Sequence, residues 1–87
     1  MGAMKSLRKP IYATEHVLLR TWLTNKRELG NFTQRDLAAK MDVVHSFVAK
    51  VERGERRLDV IEFVGYCRAL GVQPIEFIDE LNQQFEL

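Results

Sequence analysis

Between Phe32 and Gly54 the chain carries start and stop signals for two helices of fewer than ten residues, joined by only three. No other feature limits the possible folds so strongly. Thr33 is placed to cap the first helix, and Asp36, at the third helical position, completes an approximate capping box. Phe32, just before the cap, is placed to pack back onto the helix as a hydrophobic staple. Leu37, Ala38 and Met41 then recur at helical spacing. After Asp42-Val43-Val44 a second helix runs from about His45 to Arg53 and stops at Gly54. Its inward positions are Phe47, Val48 and Val51; His45, Ser46, Ala49 and Lys50 stay outside, and Glu55-Arg56-Arg57 reads as an exposed loop. Helices this short do not persist alone in water, so the rest of the chain must cover them.

The remaining sequence supplies that cover as further helices, with no convincing strand pattern. Residues 1–13 contain Lys5, Arg8, Lys9 and Pro10 without any period, and are expected to be a flexible basic arm. Composition leaves open whether residues 1–3 are an expression remnant or native sequence. Thr14 is expected to cap a first helix running to about Leu29, with Leu19, Leu23, Val17 and Trp22 as its buried stripe. Gly30-Asn31 ends it, since both residues tolerate a left-handed turn. Asp59 and Glu62 form a second capping box, opening a helix whose apolar positions are Ile61, Phe63, Val64, Cys67 and Leu70, stopped by Gly71. Pro74 suits the first turn of a fifth helix bearing Ile75, Phe77, Ile78, Leu81 and Phe85. The expected architecture is a compact all-α domain of five short helices over residues 14–87.

At 87 residues the chain has room for one small domain, and a 46% hydrophobic content suffices for a core. Thirteen basic against twelve acidic residues give a net charge of only +1, so any role with polyanions must come from charge placement rather than total. The single cysteine, Cys67, cannot form an internal disulfide, which fits a reducing cytoplasm. No apolar stretch reaches membrane-spanning length and no signal-peptide core is visible, so no membrane association is expected. His16 and His45 lie far apart and have no cysteine pair to join them, and neither a glycine-rich phosphate loop nor an HExxH motif occurs. Catalysis, a bound metal and a cofactor are all unexpected.

Two short helices joined by a tight turn form a helix-turn-helix, in which the second helix enters the DNA major groove. Ala38 is small where such helices cross. The outer row of the second helix offers an imidazole, a hydroxyl and an ammonium group, all able to reach base edges or phosphates. The small Ala49 permits close approach to the groove. A helical hairpin in any bundle would share the spacing; the residue identities are more specific.

The run Phe32 to Asp59 resembles the Cro/C1-type (Xre-like) helix-turn-helix family. It carries both the "T-Q-x-x-L-A" start (Thr33 to Ala38) and the "V-x-K-V-E-R-G" finish (Val48 to Gly54) at the family spacing. The segment Leu58 to Pro74 looks like the family's fourth helix and the entry to its fifth, so the resemblance covers about residues 19–81. It implies a lambda-repressor-like fold and a small transcriptional regulator binding double-stranded DNA. By the same resemblance Gln34 contacts DNA at the start of the scaffold helix, and His45 and Ser46 are the base readers. Ala49 lies at the groove, Lys50 reads a guanine edge or binds phosphate, and Arg53, Arg56 and Arg57 clamp the backbone. It also implies that Arg27 pairs with Glu52, tying the first helix to the recognition helix. Two positions depart from the pattern: Asp42 stands where the turn usually has glycine, and Val44 where a polar cap is usual.

The surplus apolar surface of the last helix (Ile75, Phe77, Ile78, Leu81 and Phe85) suggests a homodimer interface, and with it an inverted-repeat target. Repression by occluding polymerase is the simplest act open to so small a protein. The rival expectation is a protein-binding adaptor or antitoxin-like partner on the same fold. The polar row Gln34, His45, Ser46 and Lys50 discriminates for DNA.

Overall fold

The computed structural model describes residues 13–85. Apart from Ala13, the expected basic arm lies outside the described residues. Five helices follow in order: α1 (Thr14–Leu29), α2 (Gln34–Met41), α3 (His45–Arg53), α4 (Val60–Leu70) and α5 (Pro74–Gln84). No strand occurs among the described residues.

Local signals place most of these boundaries. In α2 the Thr33 side chain accepts from the Asp36 N–H at 3.0 Å, while the Asp36 carboxylate accepts from the Thr33 N–H at 2.9 Å. The same reciprocal pair forms between Asp59 and Glu62 at the start of α4. Each box satisfies two helix-end donors that would otherwise lack partners. Helix α1 begins differently from expectation. Thr14 is already helical and Ala13 is the cap residue, without a side-chain bond; its carbonyl accepts from the N–H groups of His16 and Val17. Asn31, at φ 60°, takes the left-handed position after α1, whereas Gly30 keeps a right-handed φ of −82°. Gly30 instead makes room for Phe32, whose ring would lie 2.8 Å from an added Cβ.

The core is built from Leu23, Leu37, Ala38, Val48, Val51, Phe63, Tyr66, Cys67, Leu70 and Phe77. Burying a side chain the size of Leu23 or Leu37 contributes about 1.5–3 kcal/mol, and both are fully buried. Helix α2 packs chiefly on α3 and α4, and α1 spans α3, α4 and α5. Trp22 sits over the far end of the core, its ring centroid 5.4 Å from that of Phe77 and 6.4 Å from that of Phe63.

Three residues differ from their expected environments. Helix α4 is apolar almost all round, and its buried stripe is Phe63, Tyr66, Cys67 and Leu70, so Ile61 lies outside at 80% exposure. Val17 in α1 is likewise exposed. Phe77, expected on the surplus face of α5, is a core residue packed edge-on against Phe63. A ring of that size three residues into α5 closes the gap between α1 and α4. Cys67 is fully buried, and desolvation pushes its thiol up to about 11, consistent with an apolar packing role.

Candidate nucleic-acid interface

The turn between α2 and α3 depends on Asp42. It adopts the left-handed conformation (φ 57°, ψ 47°) expected of the glycine it replaces, and its N–H and that of Val43 bond back to Ala39 and Ala38 carbonyls. Aspartate visits this region at a cost that glycine avoids. Val44 caps α3 without a side-chain hydrogen bond, as its apolar side chain requires.

With Val48 and Val51 buried and Phe47 half-buried, α3 is held by one face. The other presents His45 and Lys50 exposed, with Ser46 and Ala49 half-buried beside them. Arg53 is exposed at the end of the same helix. The one acid in α3, Glu52, is withdrawn from this surface. Its carboxylate accepts from Arg27 Nε at 2.6 Å and Arg27 Nη2 at 3.0 Å, a two-point pair across 25 residues of sequence. Arg27 Nη1 also donates to the Phe32 carbonyl at 2.8 Å. Gln34 Nε2 donates to Glu52 Oε1 at 2.9 Å. One guanidinium therefore fixes α1, the loop before α2, and α3, while the Glu52 carboxylate it holds also accepts from the Gln34 amide at the start of α2. The Glu52 hydrogen bond raises the Arg27 pKa further, against the opposing effect of burial. Behind this network the Tyr66 hydroxyl is buried without a hydrogen-bond partner among the described residues. Desolvation holds its pKa well above the ordinary tyrosine value.

The basic residues after α3 divide into two kinds. Arg53 forms a pair with Glu55 at 2.9 Å, but both side chains are more than half exposed. Such a pair is worth little and exchanges readily for another anion. Arg56 is committed more deeply. It donates to both Glu62 oxygens, at 2.9 and 2.6 Å, and to the Arg57 carbonyl, and its guanidinium stacks 4.7 Å from the Phe47 ring centroid. It therefore braces the loop against α4 and α3, and a phosphate would have to displace Glu62 to capture it.

The Glu62 carboxyl is correspondingly depressed to about 2, first by the Arg56 hydrogen bond and then by the Asp59 N–H. A carboxylate held down in the folded state stabilises the fold above its ordinary pKa and loses that contribution as pH falls through the folded value. Wild-type melting temperature is thus expected to decline between pH 4.5 and about 2, with the gap between wild type and Glu62→Gln narrowing across that window. A constant gap in a pH series of thermal melts would contradict the assignment.

His16 and Arg20 were not among the residues expected at the interface, yet the structure brings both beside this loop. They line one small cavity with Gly54, Arg56 and Arg57. The Arg20 guanidinium covers Gly54 so closely that an added Cβ would lie 2.7 Å from Cζ, and Gly54 itself has φ 78°. The pKa of His16 is lowered by burial first and by Arg57 next, with Glu15 opposing. The available signal was the i, i+4 spacing, which puts both residues on one face of α1. Among the described residues no group of His, Cys, Asp and Glu could hold a metal ion, and no helix is long and apolar enough to cross a membrane.

The helix-turn-helix family model matches residues 23–77, most of the described chain. The chain belongs to the Cro/C1-type (Xre-like) helix-turn-helix family. Membership agrees with the expected fold and with a non-enzymatic protein. Among solved structures, an XRE-family like protein from Pseudomonas syringae pv. tomato str. DC3000 is 39% identical with a TM-score of 0.76, over 79% of this chain and 84% of that one. The wild-type restriction-modification controller protein C.Esp1396I shares the fold at a TM-score of 0.72 and 21% identity, over 82% of this chain and 93% of that one. Control protein C.BamHI from Bacillus amyloliquefaciens is 32% identical over 50 residues, 58% of this chain. That match spans 62% of the relative's length, a little under two thirds.

Proposed function

We propose that the chain binds double-stranded DNA as a homodimer and represses transcription, with α3 in the major groove of each half of an inverted repeat. The observation that carries this is the outer row of α3. His45, Ser46, Ala49 and Lys50 share a face that carries no acid of α3, because Glu52 is turned inward onto Arg27. In this proposal His45 and Ser46 read base edges, Ala49 allows close approach, and Lys50 meets a guanine or a phosphate. Gln34 presents its amide at the first turn of α2. Arg53 and Arg57 neutralise phosphates, while Arg56 chiefly positions the loop that carries them. Two of the similar proteins are a control protein and a restriction-modification controller protein, which fits a regulatory role of this kind.

The dimer is proposed to form through Ile75 and Ile78 of α5, 56% and 45% exposed, with Phe85, and with Val60 and Ile61 of α4, which are exposed further still. Leu81 and Phe77 support this surface from below; both pack against the core. Paired through a two-fold axis, two α3 helices would address half-sites roughly 34 Å apart. Ile78→Glu is expected to keep the protein monomeric in light scattering with little change in melting temperature; dimers persisting in this variant would place the interface elsewhere.

Selection of bound fragments from random duplex DNA tests the function. An inverted repeat with half-sites about one helical turn apart, bound with strong salt dependence, is expected. A folded sample that enriches no motif would favour a protein-binding role instead.

A further inference from the structure

A groove of about 570 Å³ opens between α2, α3 and α4, away from the outer row of α3. Its walls are Met41, Val43 of the turn, and Phe47, with Gly65 and Tyr66 of α4 on the opposite side. That volume falls within the range of about 300–1,000 Å³ typical of sites for small organic ligands.

Gly65 is the informative residue. It lies in the interior of α4, has an ordinary negative φ, and an added Cβ would meet nothing within 4 Å. Glycine weakens a helix interior relative to alanine. Here neither backbone conformation nor packing against the protein requires it. What it does is keep one wall of the groove bare.

The charges beside the groove are also unbalanced. Glu62, the acid on its margin, is already engaged by Arg56 and by the Asp59 N–H. Lys40 and Arg68 border the groove as cations. Arg68 is exposed and has no ion-pair partner among the described residues.

We propose that this groove is a binding site for a small amphipathic carboxylate, its apolar body against Met41, Phe47 and the bare face of Gly65, and its carboxylate paired with Arg68. Because Val43 and Phe47 belong to the turn and to α3, an occupant contacts the elements that set the recognition helix. The ligand is therefore an effector of DNA binding, a consequence that rests on the role proposed above for α3. The binding itself does not rest on that role.

Amide NMR titration of the full chain, without DNA, with 3-phenylpropionate and with its neutral analogue 3-phenylpropanol, tests the site. Saturable shifts at Val43, Phe47 and Gly65 are expected, with the carboxylate binding about two- to fivefold more tightly, the range of an exposed ion pair. Arg68→Gln should erase that preference. Gly65→Leu, which has open space to fill, should abolish binding of both probes while leaving the circular dichroism spectrum in place. No saturable shift at millimolar probe, equal affinity for the two probes, or undiminished binding in Gly65→Leu overturns the site. Concentration-dependent shifts at the same amides without probe overturn it in favour of a contact between copies of the chain. Unchanged DNA affinity at saturating carboxylate, in a protein that binds DNA, overturns the effector role alone.

Discussion

Replacing Glu52 with alanine is expected to destabilise the domain by about 3 kcal/mol, the lower end of what breaking a buried ion pair costs. The side chains of Arg27 and Glu52 are only 13% and 8% exposed. Removing the carboxylate strands the guanidinium away from water and deprives the Gln34 amide of its acceptor. Arg27 would keep only the Phe32 carbonyl. In a chain of this size each kcal/mol shifts the melting temperature by about 4–8 °C, so a fall of roughly 12–24 °C should be measurable. The double replacement Arg27→Met with Glu52→Leu should cost less than Glu52→Ala, because it removes both charges and keeps apolar volume. Urea denaturation of the wild type and the two variants decides the matter. A loss below about 1 kcal/mol in Glu52→Ala would mean that the pair behaves as an exposed one.

Lys50→Glu should lower affinity for the selected operator on the order of 100-fold at low salt. One well-placed contact to a base edge carries about 1–3 kcal/mol of discrimination, and the reversed charge adds repulsion from the phosphates. Lys50 is exposed, so the melting temperature should hold. Fluorescence anisotropy across a salt series separates the two possible contacts. If Lys50 meets a phosphate, Lys50→Ala reduces the salt slope by about one and weakens binding to all sequences alike. If it reads a base, Lys50→Ala relaxes preference at one position. Unchanged binding in Lys50→Glu would remove it from the interface.

What sequence could and could not disclose follows from the range of the interactions. The boxes at Thr33–Asp36 and Asp59–Glu62 bridge three residues, so the pattern alone located α2 and α4. The left-handed conformation of Asp42 was legible only through the family resemblance, which usually has glycine at that turn position. The Arg27–Glu52 pair spans 25 residues, and only family resemblance pointed to it. Nothing in the sequence indicated that Gln34 would join it. Register failed where the pattern was ambiguous. Helix α4 has apolar residues on nearly every face, so periodicity could not show that Tyr66 is inside and Ile61 outside. The bracing of Arg56 on Glu62 and Phe47 depends on how the loop folds back, which no local rule specifies.

The division of α3 between its two faces has a consequence for how such a protein changes its target. Val48 and Val51 answer to the core and Glu52 to Arg27, whereas the side chains at 45, 46, 49 and 50 are not part of the buried core. In the role proposed for α3, those four positions form an addressable surface, one that mutation can rewrite while the scaffold beneath it stays constant. Two descendants of this chain could then come to recognise different operators without either passing through an unstable intermediate.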